Sequence, residues 1–189
     1  MKPVFRIPPP AEELKSVLGY RHETGEFHWI KPTNRRIAAG AVAGALTDNG
    51  YLAITINGKK HLAHRLAWFV FYGTIPPEYI DHVNRIKTDN RISNLRLATM
   101  AQNAENREAR SDNKSGFKGV SWCKNKKMWS AQIQRNGKNI HREFFTSKED
   151  AAASYLKASA VIHGKFSLAN SGTMPQKQTM NSSHSLVQA

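Results

Sequence analysis

The spacing of hydrophobic positions predicts a series of short elements in the first half of the chain. They are helices over residues 11–18 and 65–72, and strands over 26–30, 51–56 and 59–63. Asn57-Gly58 separates the last two strands, and this pair favours a two-residue hairpin turn. Residues 65–72 are apolar all round and are followed by Gly73, which predicts a buried helix that ends there.

The pattern changes after Pro76-Pro77, where a polar segment runs from Asp81 to Arg91. Thr99 and Gln102 have the spacing of a capping box and predict a helix over residues 100–110. The polar, glycine-containing stretch 111–116 is typical of a linker.

A second unit follows this linker. Strands are predicted over residues 117–122, 128–135 and 138–145, and a helix over 147–163. Asn136-Gly137 marks a hairpin turn, Ser147 and Asp150 have capping-box spacing, and Gly164 suits a C-cap. The apolar face of this helix is formed by Ala151, Ala152, Tyr155, Ser159 and Ile162. These elements predict a three-stranded antiparallel sheet packed on one helix, and an α+β fold class for the whole chain.

The charge of the chain indicates what kind of partner it binds. The chain has a net charge of +14 and a pI near 10.1, and residues 114–145 carry eight Lys or Arg and one acid. Clustered positive charge favours binding to a polyanion, although a basic soluble protein without such a partner has the same composition. No apolar run approaches the roughly 18 residues of a membrane span. The single cysteine, Cys123, excludes an internal disulfide and a cysteine-cluster zinc site.

The candidate chemistry lies between Asp81 and Asn103. Phosphodiester hydrolysis needs a base that activates water and a cation that neutralises developing charge. Asp81 and His82 offer a carboxylate for a hard cation and an imidazole for proton transfer. Adjacent residues of an extended segment point to opposite sides, so the two side chains can act separately. Asn103, in the first turn of the following helix, can supply a second oxygen ligand.

The spacing of these residues resembles the HNH motif of phage and intron homing endonucleases. Asn94 follows His82 by twelve residues and Asn103 follows Asn94 by nine. The surrounding segments 80–84, 89–91, 94–99 and 64–68 are similar to the same family. The resemblance covers residues 20–110 and implies a ββα-metal fold, with a two-stranded ribbon over 78–97 closed by the helix after Thr99.

The resemblance also implies roles for individual residues. His82 would be the general base, and Asp81 and Asn103 would bind one divalent cation. Asn94 would tie the loop together and orient His82. Arg65 would face the scissile phosphate, as would His64, Asn106 and Arg107, although a structural or nonspecific phosphate role is open for this group. Because the chain lacks additional histidine ligands, the family pattern favours Mg²⁺ or Mn²⁺ over Zn²⁺.

Residues 115–170 resemble the plant ethylene-response-factor (APETALA-type) DNA-binding domain. The resemblance rests on segments 116–120, 129–133 and 149–152, on Phe144-Phe145 and on Ala169-Asn170. Alternation along 129–134 places Ser130, Gln132 and Gln134 opposite the helix, on a face that suits the DNA major groove. The candidate DNA-binding residues are Lys118, Ser121, Lys124, Lys126, Lys127, Gln132, Gln134 and His141.

These observations predict a metal-dependent DNA endonuclease that acts on double-stranded DNA in the cytoplasm, encoded by a phage or prophage. Residues 1–19 are expected to form an N-terminal extension, 20–110 the nuclease domain (motif core 64–107), 117–170 the DNA-binding domain and 171–189 a disordered tail. Two alternatives stay open: a DNA-binding regulator with an inactive nuclease domain, and an RNA-directed nuclease.

Overall fold

The chain folds as small antiparallel sheets joined by short helices. The computed structural model describes residues 6–32, 34–77 and 79–167. The strands are β1 (Leu18–Arg21), β2 (Glu26–Trp29), β3 (Val42–Ala43), β4 (Ala45–Leu46), β5 (Leu52–Ile56), β6 (Lys59–Leu62), β7 (Tyr79–His82), β8 (Leu95–Ala98), β9 (Val120–Cys123), β10 (Met128–Arg135) and β11 (Lys138–Phe145). The helices are α1 (Ala11–Val17), α2 (Ala63–Tyr72), α3 (Met100–Glu105) and α4 (Lys148–His163), with 3-10 turns at Ile92–Asn94 and Gly164–Phe166. The predicted disordered tail, 171–189, lies outside the described residues.

Two three-stranded sheets and one hairpin share the first core. The sheet orders are β1-β2-β3 and β4-β5-β6, and β7 pairs with β8. The buried residues of this core include Leu14, Phe27, Ile54, Leu66 and Ile80. The core therefore draws on α1, β1, β2, β3, β5, α2, β7 and β8, whereas both residues of β4 are exposed.

The Asn57-Gly58 turn confirms the hairpin predicted from that pair. Asn57 and Gly58 have φ values of 50° and 72°, and Ile56 pairs with Lys59 across them. Positive φ at both central positions is the conformation that joins two strands without splaying them.

Helix α2 ends at Tyr72 with Gly73 as its cap, as predicted, but it begins at Ala63, two residues earlier than predicted, and it is not buried all round. Its first turns are buried at Ala63, His64, Leu66 and Ala67. Phe71 and Tyr72, at its end, are 47% and 49% exposed. The expectation of a fully buried helix is wrong for the last turn, which extends beyond the core it packs on.

Helix α1 packs into the first core. Leu14 is fully buried and Leu18 is 3% exposed. The sequence placed residues 1–19 in an extension, whereas the packing of these two leucines joins the described part of that segment, from residue 6 onward, to the core of the first unit.

Helix α3 has the predicted capping box but is shorter than predicted. The Thr99 side chain accepts from the Gln102 N–H, and the Gln102 side chain accepts from the Thr99 N–H. The helix ends at Glu105 rather than Arg110. The Lys118 ammonium group donates to the carbonyls of Ala104, Glu105 and Arg107. This contact satisfies terminal carbonyls that a longer helix would have bonded internally.

The second unit has the predicted three-stranded antiparallel sheet and helix. The order is β11-β10-β9, and Asn136 and Gly137 form the turn with positive φ. Strand β9 starts at Val120, three residues later than predicted, because Ser115 and Asn113 hold residues 113–117 in a turn. Helix α4 begins after Ser147, whose hydroxyl accepts from the N–H groups of Glu149 and Asp150.

Side chains from both units meet at α3. Glu105 lies 3.2 Å from the Arg135 guanidinium and 3.0 Å from the His163 ring. Together with the Lys118 contacts, these pairs pack the second unit against the end of α3. Within the described ranges, none of the helices combines the length and apolarity needed to cross a bilayer.

Candidate active site

The hairpin of β7 and β8 and the helix α3 border one cleft of about 570 Å³. Asp81, His82 and Asn103 all line it, so the structure brings together three of the residues predicted from spacing. Its other lining residues are Asn49, Tyr51, Ile80, Arg85, Lys87, Asn106, Arg107, Glu108, Ala109 and Arg110. Asn94 and Arg65 are not part of this lining.

Asp81 is a buried carboxylate with strong partners. It is 4% exposed, and the Arg96 Nε and Nη2 atoms donate to its Oδ2 at 2.8 and 2.6 Å. Asp81 pairs with Arg96 across β7 and β8, which explains why the two side chains meet. The Asn106 Nδ2 atom lies 3.0 Å from both carboxylate oxygens and donates to the His82 carbonyl at 2.9 Å.

His82 is buried beside Asp81 and is suited to accept a proton. Burial lowers the pKa of His82, and this outweighs the Asn90 hydrogen bond and the Asp81 charge, which raise it. The ring is therefore neutral near pH 7. The His82 Nε2 atom lies 3.3 Å from the Asn90 Oδ1 atom, which only accepts hydrogen bonds. In the neutral ring this contact places the proton on Nε2 and leaves the lone pair of the base on Nδ1.

Asn94 organises the loop but does not orient His82 in the way predicted. Its Oδ1 atom accepts from the Asn84 N–H at 2.9 Å, and its Nδ2 atom donates to the Asp89 carbonyl at 2.8 Å. The loop-closing role thus has direct support in these contacts. The side chain that contacts the His82 ring is Asn90 instead, because both the oxygen and the nitrogen of the Asn94 amide are hydrogen-bonded to backbone groups of the loop.

The two residues at the start of α2 point to different places. His64 is 5% exposed, and its ring lies 5.2 Å from the His82 ring in an edge-on contact. Burial lowers the pKa of His64 to about 3, so it stays neutral. Arg65 instead donates to the Pro76 carbonyl at 2.7 Å and lines a different pocket, with His61 and Phe69. One residue turns a helix by about 100°, which separates Arg65 from the cleft.

The donor set near Asp81 fits an oxygen-loving cation. Asn103 lines the cleft, and the Asn106 Oδ1 atom is buried without a hydrogen-bond partner among the described residues. An unpaired buried carbonyl oxygen beside a carboxylate is suited to a hard cation such as Mg²⁺. The described residues contain no group of three or more His, Cys, Asp or Glu that could hold a metal. A site built here therefore depends on one carboxylate and amide oxygens.

Sequence reasoning missed the parts played by Arg96 and Asn90 and gave Asn106 a different role. Arg96 could have been found from the hairpin, because pairing Asp81 within a ribbon that ends near residue 97 brings an arginine opposite it. The sequence contained no comparable signal for Asn106. Its side-chain direction depends on α3 ending at Glu105, which the sequence did not predict.

The candidate DNA-binding residues of the second unit are divided between four places. Cross-strand pairs and alternation put Ser121, Gln132 and Gln134 on the sheet face opposite α4. The Lys126 ammonium group lies 3.9 Å from the centre of the Phe144 ring, on the same face. Lys124 and Lys127 lie exposed in the turn before β10. These positions leave six of the eight candidates accessible to a ligand.

Lys118 and His141 lie elsewhere. Lys118 donates to the three carbonyls at the end of α3, and burial lowers its pKa to about 8. His141 pairs with Ile133 on the side of α4, and its Nε2 atom lies 3.2 Å from the Ser154 hydroxyl. The structure therefore directs both side chains into contacts inside the protein, away from the open sheet face.

Comparison with known proteins gives one family and two relatives. A family model described as HNH endonuclease matches residues 61–105. Protein 3.8 of Escherichia phage T7 is 32% identical over 111 residues, which cover 57% of this chain and 89% of the phage protein. An uncharacterized HNH endonuclease of Acanthamoeba polyphaga mimivirus is 31% identical over 126 residues, covering 66% of this chain and 65% of that protein. No solved structure gives a significant match.

Proposed function

Because this chain belongs to the HNH endonuclease family, we propose that it hydrolyses phosphodiester bonds in double-stranded DNA with one divalent cation, Mg²⁺ or Mn²⁺. One observation carries the proposal: Asp81 and His82 are adjacent, buried and part of the same cleft as Asn103. The β7–β8 hairpin followed by α3 supports the ββα-metal arrangement.

His82 is the general base in this proposal. Its neutral ring takes a proton from water through Nδ1, while Asn90 holds Nε2 and fixes the orientation of the ring. The buried ring of His64 and the half-buried ring of Tyr51 pack near it and limit its movement. Proton transfer by a positioned histidine is the step for which this arrangement is best suited.

Asp81 and Asn103 are the proposed ligands of the cation, with Asn106 as a further oxygen donor. A bound Mg²⁺ or Mn²⁺ would neutralise charge on the phosphate and stabilise the leaving oxygen. Asn106 also donates to the His82 carbonyl, so one side chain links the proposed base with the proposed ligand. Arg107, Arg110 and Lys87 line the cleft and suit the phosphates on either side of the scissile bond.

The second unit is the proposed DNA-reading part. Its open sheet face carries Ser121, Gln132 and Gln134, with Lys124, Lys126 and Lys127 at one end, and this combination suits base edges bordered by phosphates. We propose an ethylene-response-factor-type domain here, and a homing-endonuclease-like role in a phage or its host cell. The phage relative supports that setting.

The decisive experiment incubates the full chain with supercoiled plasmid DNA. We expect nicked or linear product with Mg²⁺ or Mn²⁺, and none after chelation with EDTA, because the reaction needs the cation's charge. Sustained cleavage after exhaustive chelation would remove the metal from the proposal. Binding without any product in either metal would favour the DNA-binding regulator, and preferential cutting of single-stranded RNA would favour the RNA-directed nuclease.

Base reading and phosphate binding by the second unit can be separated with two variants. Gln132→Ala should relax sequence preference at one or two base pairs, at a cost of about 1–3 kcal/mol for the preferred site. Lys126→Ala should weaken binding to all duplexes and lower the slope of log affinity against log salt by about one. Selection from a random duplex pool and a salt titration provide the two measurements.

The matched control is Lys157→Ala, which removes the same charge from the exposed side of α4. It should leave both measurements nearly unchanged. If Lys126→Ala and Lys157→Ala behave alike, the open sheet face is not the DNA contact.

A further inference from the structure

Arg96 is an unusual partner for a proposed metal ligand. Its guanidinium donates twice to the Asp81 Oδ2 atom, and both side chains are largely buried, at 15% and 5% exposure. The Asp81–Arg96 ion pair carries no net charge, so the Arg96 charge already balances the negative charge that a cation at Asp81 would need. A divalent cation would have to approach Asp81 against the charge of Arg96, and charges a few ångströms apart interact strongly in a buried site.

The second unit holds Arg96 in that place. The Arg96 Nη1 atom donates to the Lys165 carbonyl, and the guanidinium lies 4.1 Å from the centre of the Phe166 ring. Phe166 is 4% exposed and sits in the 3-10 turn Gly164–Phe166, here called the C-terminal turn. A cation held over an aromatic ring and by a carbonyl loses much of its freedom to move away.

The rest of the cleft does not restore negative charge. Its lining contains two carboxylates, Asp81 and Glu108, and four basic side chains. Glu108 is itself paired with Arg85 at 3.4 Å. Without DNA the cleft is therefore positive, which favours phosphate and disfavours a free divalent cation.

We propose that Arg96, held by the C-terminal turn, makes cation binding at Asp81 depend on DNA, because phosphate supplies the negative charge that the Asp81–Arg96 pair lacks. Arg96 is a positioning residue: it acts on the cation through Asp81. This inference rests on the proposed function, since it assumes that Asp81 is a metal ligand. It adds that the second unit, beyond reading DNA, sets the metal affinity of the first.

The test measures Mn²⁺ binding to the full chain by electron paramagnetic resonance, without DNA and with a short duplex. A His82→Ala background is used because this change is expected to slow cleavage during the measurement. Without DNA, Arg96→Gln should raise Mn²⁺ affinity by at least about tenfold, because the opposing charge is gone. With DNA, the Mn²⁺ affinity of the His82→Ala protein, here called the parent, should rise. The difference in Mn²⁺ affinity between this parent and the same protein carrying Arg96→Gln should shrink.

Two further variants keep the test sharp if Arg96→Gln fails to fold, which circular dichroism would report. Phe166→Leu retains Asp81 and the Arg96 charge but removes the ring, and it should raise DNA-free Mn²⁺ affinity by about threefold. Arg21→Gln removes an exposed charge far along the chain, in β1, and should change nothing.

The outcomes separate the inference from the function it rests on. If Asp81→Asn abolishes DNA-dependent Mn²⁺ binding but neither Arg96→Gln nor Phe166→Leu raises DNA-free affinity, the inference is overturned and the proposed function stands. If Asp81→Asn binds Mn²⁺ like its parent with and without DNA, Asp81 is not a ligand, and the proposed metal role fails together with the inference.

Discussion

Replacing His82 with alanine is expected to slow DNA cleavage by about 10²-fold or more, while DNA affinity stays nearly unchanged. The reason is that His82 is buried, neutral and held by Asn90 through one nitrogen, which leaves the other to accept a proton from water. Its side chain is 4% exposed and contributes little surface to which DNA could bind. Initial cleavage rates and duplex affinity, measured on the same preparation, check this expectation.

A matched control for that variant is His22→Ala, which removes a histidine whose side chain is 51% exposed and pairs with Glu23. It should cleave at the rate of the wild type. Near-normal cleavage by His82→Ala would exclude His82 as the base. Loss of DNA affinity together with cleavage would point to damage to the fold, which thermal unfolding would reveal.

Asp81→Asn is expected to lower cleavage by about 10³-fold or more at ordinary Mg²⁺ concentrations, because the site then lacks its one buried carboxylate near Asn103 and Asn106. Asparagine preserves the shape of the side chain, although it leaves Arg96 without its carboxylate. The stability of the variant against thermal unfolding must therefore be measured alongside its cleavage rate. Asp48→Asn, at an exposed position, is the matched control and should retain full activity.

Variants of the two amides then identify the further ligand. Asn103→Ala should lose activity at ordinary Mg²⁺ and regain part of it in excess Mn²⁺, whereas loss of Asn106 should also disturb the Asp81 and His82 contacts that it makes. Rates across a Mg²⁺ and Mn²⁺ titration measure both effects. Full activity of Asp81→Asn at low Mg²⁺ would contradict the metal role of this carboxylate.

Local patterns predicted the elements of the second unit well. Strands β10 and β11 have the predicted bounds, and helix α4 lies between Ser147 and Gly164 as expected. Hairpin turns, N-caps and the apolar face of a helix depend on neighbouring residues, so they are written in short stretches of sequence. Strands β1, β3 and β4 were not predicted, because β3 and β4 have only two residues each and β1 follows directly on helix α1 without a break in the hydrophobic pattern.

The sequence by itself determined the mixed α/β class, the HNH spacing of Asp81, His82, Asn94 and Asn103, and the clustering of positive charge after residue 113. Tertiary structure decided which side chains serve the cleft. Arg65 donates to the Pro76 carbonyl, and Lys118 donates to carbonyls at the end of α3. Asn90, rather than Asn94, contacts the His82 ring. Arg96 lies between Asp81 and Phe166. Spacing along a chain restricts which residues are near, but the direction of a buried polar side chain is set by the partners that satisfy its hydrogen bonds, and those partners come from distant elements.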